Sequence, residues 1–544
     1  SFQKEFKLSL TTLIIEHSLM ITAVAIAIEF VIAKVSSRLA GAVAFVHSLI
    51  LSLAFGALAL DSIKSETLLK LELNMGFFNL PLVVTPLSAP IILLTCLIAP
   101  FISLYSINYL YSYRLPVDRF YTVYSATLLS VLIYFSAGDL IVLLIFMEVA
   151  SVLTGLLIAY KLKDLEISSA LKYIFVFVAV DKLAVAGAGI IWTLTGSIDI
   201  PGSLIQLGLT QDVLLASLAS LLLLIAFVTK ATLAPLSFWL IWAMDAPSNV
   251  SALFHFGIII LMGVYGLVLF TFSATASEQL ALVIGLSALI GGSLGAILAS
   301  ATMLATRDVK HLVGLSTIEN AGLTAVCIGG SFLLFHTSPG LSSLFLSTAY
   351  LHSLAHAYSK ATMFMNTGIL VLTAHSRDLK DLSGLSSKMP TTGAVFMIAS
   401  ATFLGVPPSL MFASVLLILT STLLGSFENK VLIVGFISTI LAHLLSSLAY
   451  LRFAKIVLFE DLEVKDLEVK EDTLMLFPQV GLLTLSFLSL ALLPRLSKFF
   501  ECPATYLGLP KALPDVTLQA LSVVAPLTLV PLLAVSIAMV LRKR

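Results

Sequence analysis

Charged residues are scarce in this chain of 544 residues. They make up 11% of the sequence, whereas a soluble protein has roughly 25%. Hydrophobic residues make up 59%, and the mean hydropathy is +1.08. A soluble chain of this length would form roughly three or four domains, and so few charges could not cover their surfaces. The composition therefore predicts an integral membrane protein.

The chain also lacks the patterns that hold most cofactors. Its three cysteines, Cys96, Cys327 and Cys502, are far apart, which excludes a disulfide framework and argues against an iron–sulfur cluster. No glycine-rich nucleotide motif opens a helix. Lys+Arg and Asp+Glu number 30 each, so no basic surplus is available for nucleic acid. We expect no cofactor in this chain and no nucleic-acid partner, and we expect the driving energy to come from ions or from a partner protein.

Long apolar runs fill most of the sequence. Because backbone in contact with lipid must satisfy its own hydrogen bonds, and because we find no alternating strand patterns, we expect these runs to be helices. The predicted fold is an all-α polytopic membrane protein with about 14–15 transmembrane helices, each needing about 20 apolar residues. The segments are 10–33, 39–60, 85–109, 118–137, 139–160, 167–195, 212–242, 250–272, 278–303, 309–335, 341–374, 389–424, 430–454, 473–494 and 517–541. Between the last two we expect only a short polar loop.

The basic residues of the loops are unevenly distributed. Most of them follow odd-numbered segments or lie at the C-terminus. The positive-inside rule then places the N-terminus outside and the C-terminus in the cytoplasm of a prokaryote, with the chain in the plasma (inner) membrane. The longest polar stretch, 455–472, would lie on the cytoplasmic side and contact solvent or a partner.

Several ionisable side chains interrupt the predicted spans. Such a residue costs at least about 2.5–3.5 kcal/mol at the centre of a spanning helix, so it usually faces the bundle interior and marks an ion pathway. The set comprises Glu148, Asp181, Lys182, Lys230, His255, His352, His356, Lys360 and His443.

His352, His356 and Lys360 are spaced four residues apart, which places them along one helix face. Histidine titrates near neutrality, and burial makes a lysine easier to deprotonate, so this row can pass protons. The alternative is that the three side chains only hold neighbouring helices together through hydrogen bonds. The spacing on so apolar a helix favours the proton path.

Prolines at two sites predict broken helices. Pro235 follows Lys230 by five residues, and Pro407 with Pro408 interrupts the segment 389–424. A broken helix at membrane depth is tolerated where it lines a cavity or binding site, and a matching pair suggests inverted repeats. We predict five-helix repeats at 118–272 and 278–454, flanked by N-terminal helices (1–117) and by a cytoplasmic loop with C-terminal helices (455–544).

The lysine beside the first break needs a partner. Glu148 and Asp181 are the candidate carboxylates for Lys230, and a static buried ion pair is the alternative to a functional one.

In combination, seven stretches carry a resemblance to a known family: YSINYLYSYRLPVDRFYTVYSATLL (105–129), FMEVASVLTGLLI (146–158), LKYIFVFVAVDKL (171–183), TKATLAPLSFWLIWAMDAPSNVSALFH (229–255), DVKHLVGLSTIENAG (308–322), LHSLAHAYSKATMFMNTG (351–368) and FLGVPPSLMFAS (403–414). In order and content they resemble the antiporter-like subunits of respiratory complex I, of Mrp-type sodium/proton antiporters and of membrane-bound hydrogenases. The resemblance implies a proton-uptake pair of Glu148 and Lys230, with Asp181 near it. It also implies a central proton axis of His255, His352, His356 and Lys360.

The sequence departs from the family pattern at the exit of this route. The ionisable residue of the family's twelfth helix should fall at Val415, which cannot carry charge. Two further family motifs are replaced, by Thr85-Pro86 and by Ile241-Trp242. We expect His443 to substitute in part for the missing exit group.

The resemblance implies an ion-translocating subunit, moving protons or exchanging protons for sodium, in a redox-driven complex with neighbouring antiporter-like subunits. This chain would hold no catalytic centre of its own. Two alternatives remain open: a structural subunit of the same complex with a closed channel, which Val415 favours, and a subunit of an Mrp-type antiporter or bicarbonate-uptake complex without a redox partner. Co-purification with iron–sulfur subunits would separate the last from the others.

Overall fold

A computed structural model describes residues 11–74, 79–256, 258–461 and 471–511 of the chain. The predicted segments that fall within these ranges lie largely on helices, and the last segment, 517–541, lies outside them. Eleven of the described helices are long and apolar enough to cross a membrane. The predicted all-α polytopic fold is confirmed.

The helices are α1 (Ser18–Ala33), α2 (Ser37–Ser65), α3 (Ala89–Ser112), α4 (Val117–Phe135), α5 (Leu140–Ile158), α6 (Asp164–Thr195), α7 (Gly202–Leu209), α8 (Val213–Lys230), α9 (Trp239–Ala243), α10 (Ser248–Phe256), α11 (Ile258–Leu269), α12 (Thr271–Ala274), α13 (Glu278–Ala305), α14 (Val309–Leu334), α15 (Pro339–Ala374), α16 (Pro390–Phe403), α17 (Leu410–Glu428), α18 (Ile433–Phe459), α19 (Thr473–Ala491) and α20 (Leu493–Tyr506). Short 3-10 turns lie at Lys380–Leu382, Leu385–Ser387 and Lys430–Leu432.

Two strands correct the expectation that strand patterns are absent. β1 (Leu69–Asn74) and β2 (Asn79–Val84) pair antiparallel, with Leu69 opposite Val84 and Leu73 opposite Leu80. The sequence of β1, LKLELN, alternates leucine with polar residues, which is the two-residue period of a strand. This signal is short and lies between much longer apolar runs, which explains why it was overlooked.

Two neighbouring helices, α13 and α14, pack through glycines. On α13 and α14, a Cβ added at Gly292 would lie 2.5 Å from the backbone oxygen of Gly322, and a Cβ added at Gly322 would lie 2.5 Å from that of Gly292. Small residues allow two helices in a membrane to approach this closely. The close contact holds α14, which carries several buried polar residues, against α13.

The two prolines lie where helices end. α8 ends at Lys230, and Pro235 lies in the non-helical connection before α9. In this connection the indole Nε1 of Trp239 donates to the backbone oxygen of Thr229 at 2.7 Å, which satisfies a carbonyl that the helix leaves free. Pro407 and Pro408 lie between α16 and α17.

The residues after 494 differ from the expected short loop. Leu493–Tyr506 form α20, and Lys498 on this helix pairs with Glu66 at 3.1 Å, just past the end of α2. Helix α20 contains too many charged residues for a spanning helix, which is why hydropathy alone did not predict this helix.

Candidate functional site

A buried ion pair lies beside the first helix break. Lys230, the last residue of α8, donates from Nζ to Asp181 Oδ1 at 2.8 Å and to Ser151 Oγ at 2.9 Å. Lys230 is fully buried, and Asp181 is 2% exposed. The Lys230 ammonium also lies 4.3 Å from the centre of the Phe177 ring, a cation–π contact. The break thus ends with a charged amine held by one carboxylate, one hydroxyl and one aromatic face.

The structure corrects the predicted Glu148–Lys230 pair. The carboxylate on Lys230 is Asp181, and Glu148 instead accepts from Lys182 Nζ at 2.6 Å. Lys182 is not deep in the bundle as expected, because its side chain is 58% exposed. Successive helix residues point about 100° apart, so Asp181 can face the interior of α6 while Lys182 faces outward.

Helix α5 contributes one residue to each contact, and the two residues lie one turn apart. Glu148 points to Lys182 at the surface, whereas Ser151, three residues on, donates to Asp181 at 3.4 Å in the interior. The four charges therefore form a row from the bundle surface inward: Lys182, Glu148, Asp181 and Lys230. The two lysines lie at its ends, and the two carboxylates lie in the middle.

The predicted row on α15 is buried along its whole length. His352 Nδ1 and Ser414 Oγ share a hydrogen bond of 3.0 Å, and His356 Nε2 lies 3.2 Å from the backbone oxygen of His255. Lys360 Nζ donates to the backbone oxygen of Val313 at 2.8 Å and to Ser316 Oγ. The row thus connects α15 to three neighbouring helices, α10, α14 and α17.

His255 on α10 joins this row. Its ring stacks on Phe364 of α15, with centroids 4.7 Å apart. Neither ring nitrogen of His255 has a hydrogen-bond partner among the described residues, and the same holds for His352 Nε2 and His356 Nδ1. Buried polar atoms normally bond to protein or to water, so these four nitrogens remain free to exchange hydrogen bonds along the row.

At the exit position the polar group is a serine. Val415 on α17 is buried, and its neighbour Ser414 is the residue that contacts His352. His443 on α18 lies against the second break, since a Cβ added at Gly405 would be 3.2 Å from His443 Nε2. His443 therefore lies beside the connection between α16 and α17, at Gly405, ten residues before the predicted exit position Val415.

The sequence reasoning missed two buried charges on α14. Lys310 was counted as a loop residue, but it lies in the first turn of α14, is 4% exposed and donates to the backbone oxygen of Ala246. Glu319, two turns further along α14, is 2% exposed and accepts from Ser446 Oγ at 2.6 Å. Glu319 meets the same criterion as the other ionisable residues, a charge in the middle of a predicted span, so the signal that identifies it is present in the sequence.

The described residues contain no group of three or more His, Cys, Asp or Glu side chains able to hold a metal ion. The titratable side chains of the site are its carboxylates, amines and imidazoles, and hydroxyls bridge between them. Groups of these kinds can bind a proton and release it again.

Comparison with known proteins places the site in a family. A model described as "NADH:quinone oxidoreductase/Mrp antiporter, TM" matches residues 137–442, more than half of the chain. Hydrogenase-4 component B of Escherichia coli (strain K12) is 29% identical over 338 residues, 61% of this chain and 49% of that protein. A Na(+)/H(+) antiporter subunit of Alkalihalophilus pseudofirmus is 29% identical over 386 residues, 69% of this chain and 47% of that protein. The chain thus spans about half the length of these relatives.

A solved structure resembles the whole described fold. A chain of the membrane-bound sulfane sulfur reductase, an archaeal respiratory membrane complex, matches with a TM-score of 0.76, covering 95% of this chain and 99% of that one. The identity is 18%, so this likeness supports the fold alone. Lys230, Asp181 and the α15 row all fall inside the range of the family model.

Proposed function

The chain belongs to the NADH:quinone oxidoreductase/Mrp antiporter family of membrane proteins, and we propose that it moves protons, or exchanges protons for sodium, as an antiporter-like subunit of a larger redox-driven complex. The observation that carries this proposal is the series of buried ionisable groups from Asp181 and Lys230 to the row His352, His356 and Lys360. Such groups are costly in a membrane and are typical of proton relays.

Lys230 and Asp181 support proton uptake by their position. A fully buried ammonium is stable only when a carboxylate and hydrogen bonds compensate it, so any change that separates Lys230 from Asp181 favours release of the lysine proton. Lys230 ends a broken helix, where the backbone is able to move more easily than inside a continuous one. A conformational change of the complex that separates this pair would therefore cause a proton transfer.

The surface pair supports the presence of a neighbouring membrane protein. Glu148 and Lys182 lie near the middle of α5 and α6, with 31% and 58% of their side chains exposed. At that depth an uncovered pair would face lipid, where charges cost several kcal/mol. A second membrane subunit covering this face would remove that cost. The redox chemistry would reside in other chains of the complex, because this chain has no cofactor motif.

The placement in the cell and the internal repeats belong to the proposal. We place the chain in the plasma membrane of a prokaryote, with the N-terminus outside and the C-terminus in the cytoplasm, on the distribution of Lys and Arg among its loops. The helix breaks at Pro235 and at Pro407 support two inverted repeats, 118–272 and 278–454.

A second candidate function is a structural subunit with a closed channel. Val415 favours it, because the adjoining residues of α17 include Leu410, Met411, Leu416 and Leu417, and apolar walls exclude water and charge. In this case the chain would support its neighbours or relay conformational coupling between them.

The test uses the purified complex in proteoliposomes. Lys230→Ala should abolish most of the pH gradient formed per substrate turned over, while the complex still assembles on a native gel. Lys172→Ala is the matched control, since Lys172 is exposed on α6 and should leave the gradient unchanged. An undiminished gradient in both Lys230→Ala and Lys360→Ala would reject ion translocation by this chain and support the structural role.

A further inference from the structure

A ladder of polar contacts joins α14 to α18 beside Lys360. Its first rung is Ser316 Oγ to Tyr450 OH, at 2.7 Å, and Lys360 Nζ donates to the same Ser316 Oγ. Its second rung is Ser446 Oγ to Glu319 Oε1, at 2.6 Å. The rungs lie one turn apart on each helix, since Glu319 follows Ser316 by three residues and Ser446 precedes Tyr450 by four.

From this ladder we propose that Glu319 is the carboxylate that receives the proton of Lys360, so that the outward half of the route runs between α14 and α18 and bypasses Val415 on α17. The proposal rests on the proposed function, because it concerns the path of a proton already on Lys360. It names a release group that neither the family pattern nor the sequence reasoning assigned.

The electrostatic surroundings of Glu319 suit this role. The residue is 2% exposed, and among the residues that the structure describes no Lys, Arg or His nitrogen lies within 4.0 Å of its carboxylate. Its hydrogen-bond donors are neutral: Ser446 Oγ, and Asn320 Nδ2 at 3.3 Å. A buried carboxylate without a fixed cation is stabilised by taking up a proton.

The titratable groups around it come from three helices. α15 contributes Lys360, α18 contributes Tyr450 and His443, and Glu319 itself is on α14. Only Lys360 among them can supply a proton from an ammonium. This differs from Lys230, whose carboxylate partner contacts it directly at 2.8 Å.

The proton step balances without any further reactant. Lys360 loses a proton from Nζ and becomes a neutral amine. The hydroxyls of Ser316 and Tyr450 form one hydrogen-bonded segment, and Ser446 with Glu319 forms the other. In the proposed step the proton crosses the one turn between the two segments, and Glu319 changes from carboxylate to carboxylic acid. The proton can return to Lys360 until Glu319 releases it. The direction of transfer is therefore set by the groups of the axis that protonate Lys360 again.

The ladder leads toward the side on which protons should leave. In the proposed orientation, α14 runs from the cytoplasmic face outward and α18 runs from the outer face inward. Glu319 lies further out than Ser316 on α14, and Ser446 further out than Tyr450 on α18. The next polar contact in this direction is Ser438 Oγ to Ser293 Oγ of α13, at 3.0 Å, two turns further along α18.

The experiment compares variants of the assembled complex in proteoliposomes, measuring protons moved per electron transferred. Glu319→Gln keeps the size of the side chain and its carbonyl acceptor for Ser446, but it cannot take up a proton. We expect it to lower the ratio by the same amount as Lys360→Ala does, and we expect Glu319→Asp to retain most of the wild-type ratio. Glu428→Gln, at the exposed end of α17, is the matched control and should behave as wild type.

Infrared difference spectra provide a readout that a purely structural role would not change. During turnover the complex should show a protonated-carboxyl band that disappears in Glu319→Gln and persists in Glu428→Gln. A normal ratio in Glu319→Gln together with a lowered ratio in Lys360→Ala would overturn the role of Glu319 and leave the proposed function intact. Normal ratios in both Lys230→Ala and Lys360→Ala would instead reject the proposed function itself.

Discussion

The identity of the partner of Lys230 can be decided by measuring which carboxylate is energetically coupled to it. In the structure Asp181 lies 2.8 Å from Lys230 Nζ, and both residues are buried. The Asp181→Asn change leaves the Lys230 ammonium without a negative partner, because only the neutral amide oxygen, Ser151 and the Phe177 ring remain near it. Removing one partner of a buried pair costs roughly 3–5 kcal/mol, because the other charge stays uncompensated. We expect a loss of that size in the free energy of unfolding.

The same change at Glu148 should cost far less. Glu148 contacts Lys182, and the two side chains are 31% and 58% exposed, so Glu148→Gln in the detergent-solubilised chain should cost about 0–1 kcal/mol, as for other exposed pairs. Combining Asp181→Asn with Lys230→Met removes both buried charges, and the double variant should recover most of the loss. Lys230 should therefore couple strongly to Asp181 and by less than about 0.5 kcal/mol to Glu148.

The assay is a double-mutant cycle on the purified full chain, with unfolding followed by titration with sodium dodecyl sulfate. Each cycle combines Lys230→Met with one of the two carboxylate variants. Stronger coupling of Lys230 to Glu148 than to Asp181 would show that the arrangement of α5, α6 and α8 is wrong, and it would restore the pair implied by the family resemblance.

Two further predictions concern packing and a second buried acid. Gly322→Ala should lower the free energy of unfolding by about 1–3 kcal/mol, because the new Cβ would lie 2.5 Å from the Gly292 oxygen. Gly189→Ala is the control, since no atom lies within 4 Å of the added Cβ, and it should be neutral or slightly stabilising. Equal losses in the two variants would contradict the close helix contact. The second acid, Glu29, is 1% exposed and accepts from Ser125 at 2.8 Å. Glu29→Gln should cause no loss of unfolding free energy. Glu29→Ala should cost about 1–3 kcal/mol, because it leaves the Ser125 hydroxyl unpaired. A large loss in Glu29→Gln would mean that the carboxylate is charged and paired.

Hydropathy predicted the helices well because the bilayer imposes the same requirement on every span. A run of about 20 apolar residues has no stable alternative to a helix in lipid. The run 278–303, for example, lies within α13 (Glu278–Ala305). The short hairpin β1–β2 and the amphipathic α20 escaped this reasoning, since neither is long and apolar.

Local periodicity also predicted which residues share a helix face. His352, His356 and Lys360 had to align because four residues make about one helical turn, and all three are buried on α15. The broken helices followed in the same way from proline, which removes a backbone donor wherever it occurs.

The sequence by itself therefore determined the membrane class, the spans and the row of titratable groups on α15, since each of these depends on residues close together in the chain. Only the tertiary structure decided the partners: Asp181 on Lys230, Lys182 on Glu148, and Ser446 on Glu319. In each pair the two residues come from different helices. Asp181 and Lys182 are neighbours in the chain, yet they point to different sides of α6. The rotation and position of α5, α6, α8, α14 and α18 relative to one another are set by packing over the whole bundle, which no local pattern records.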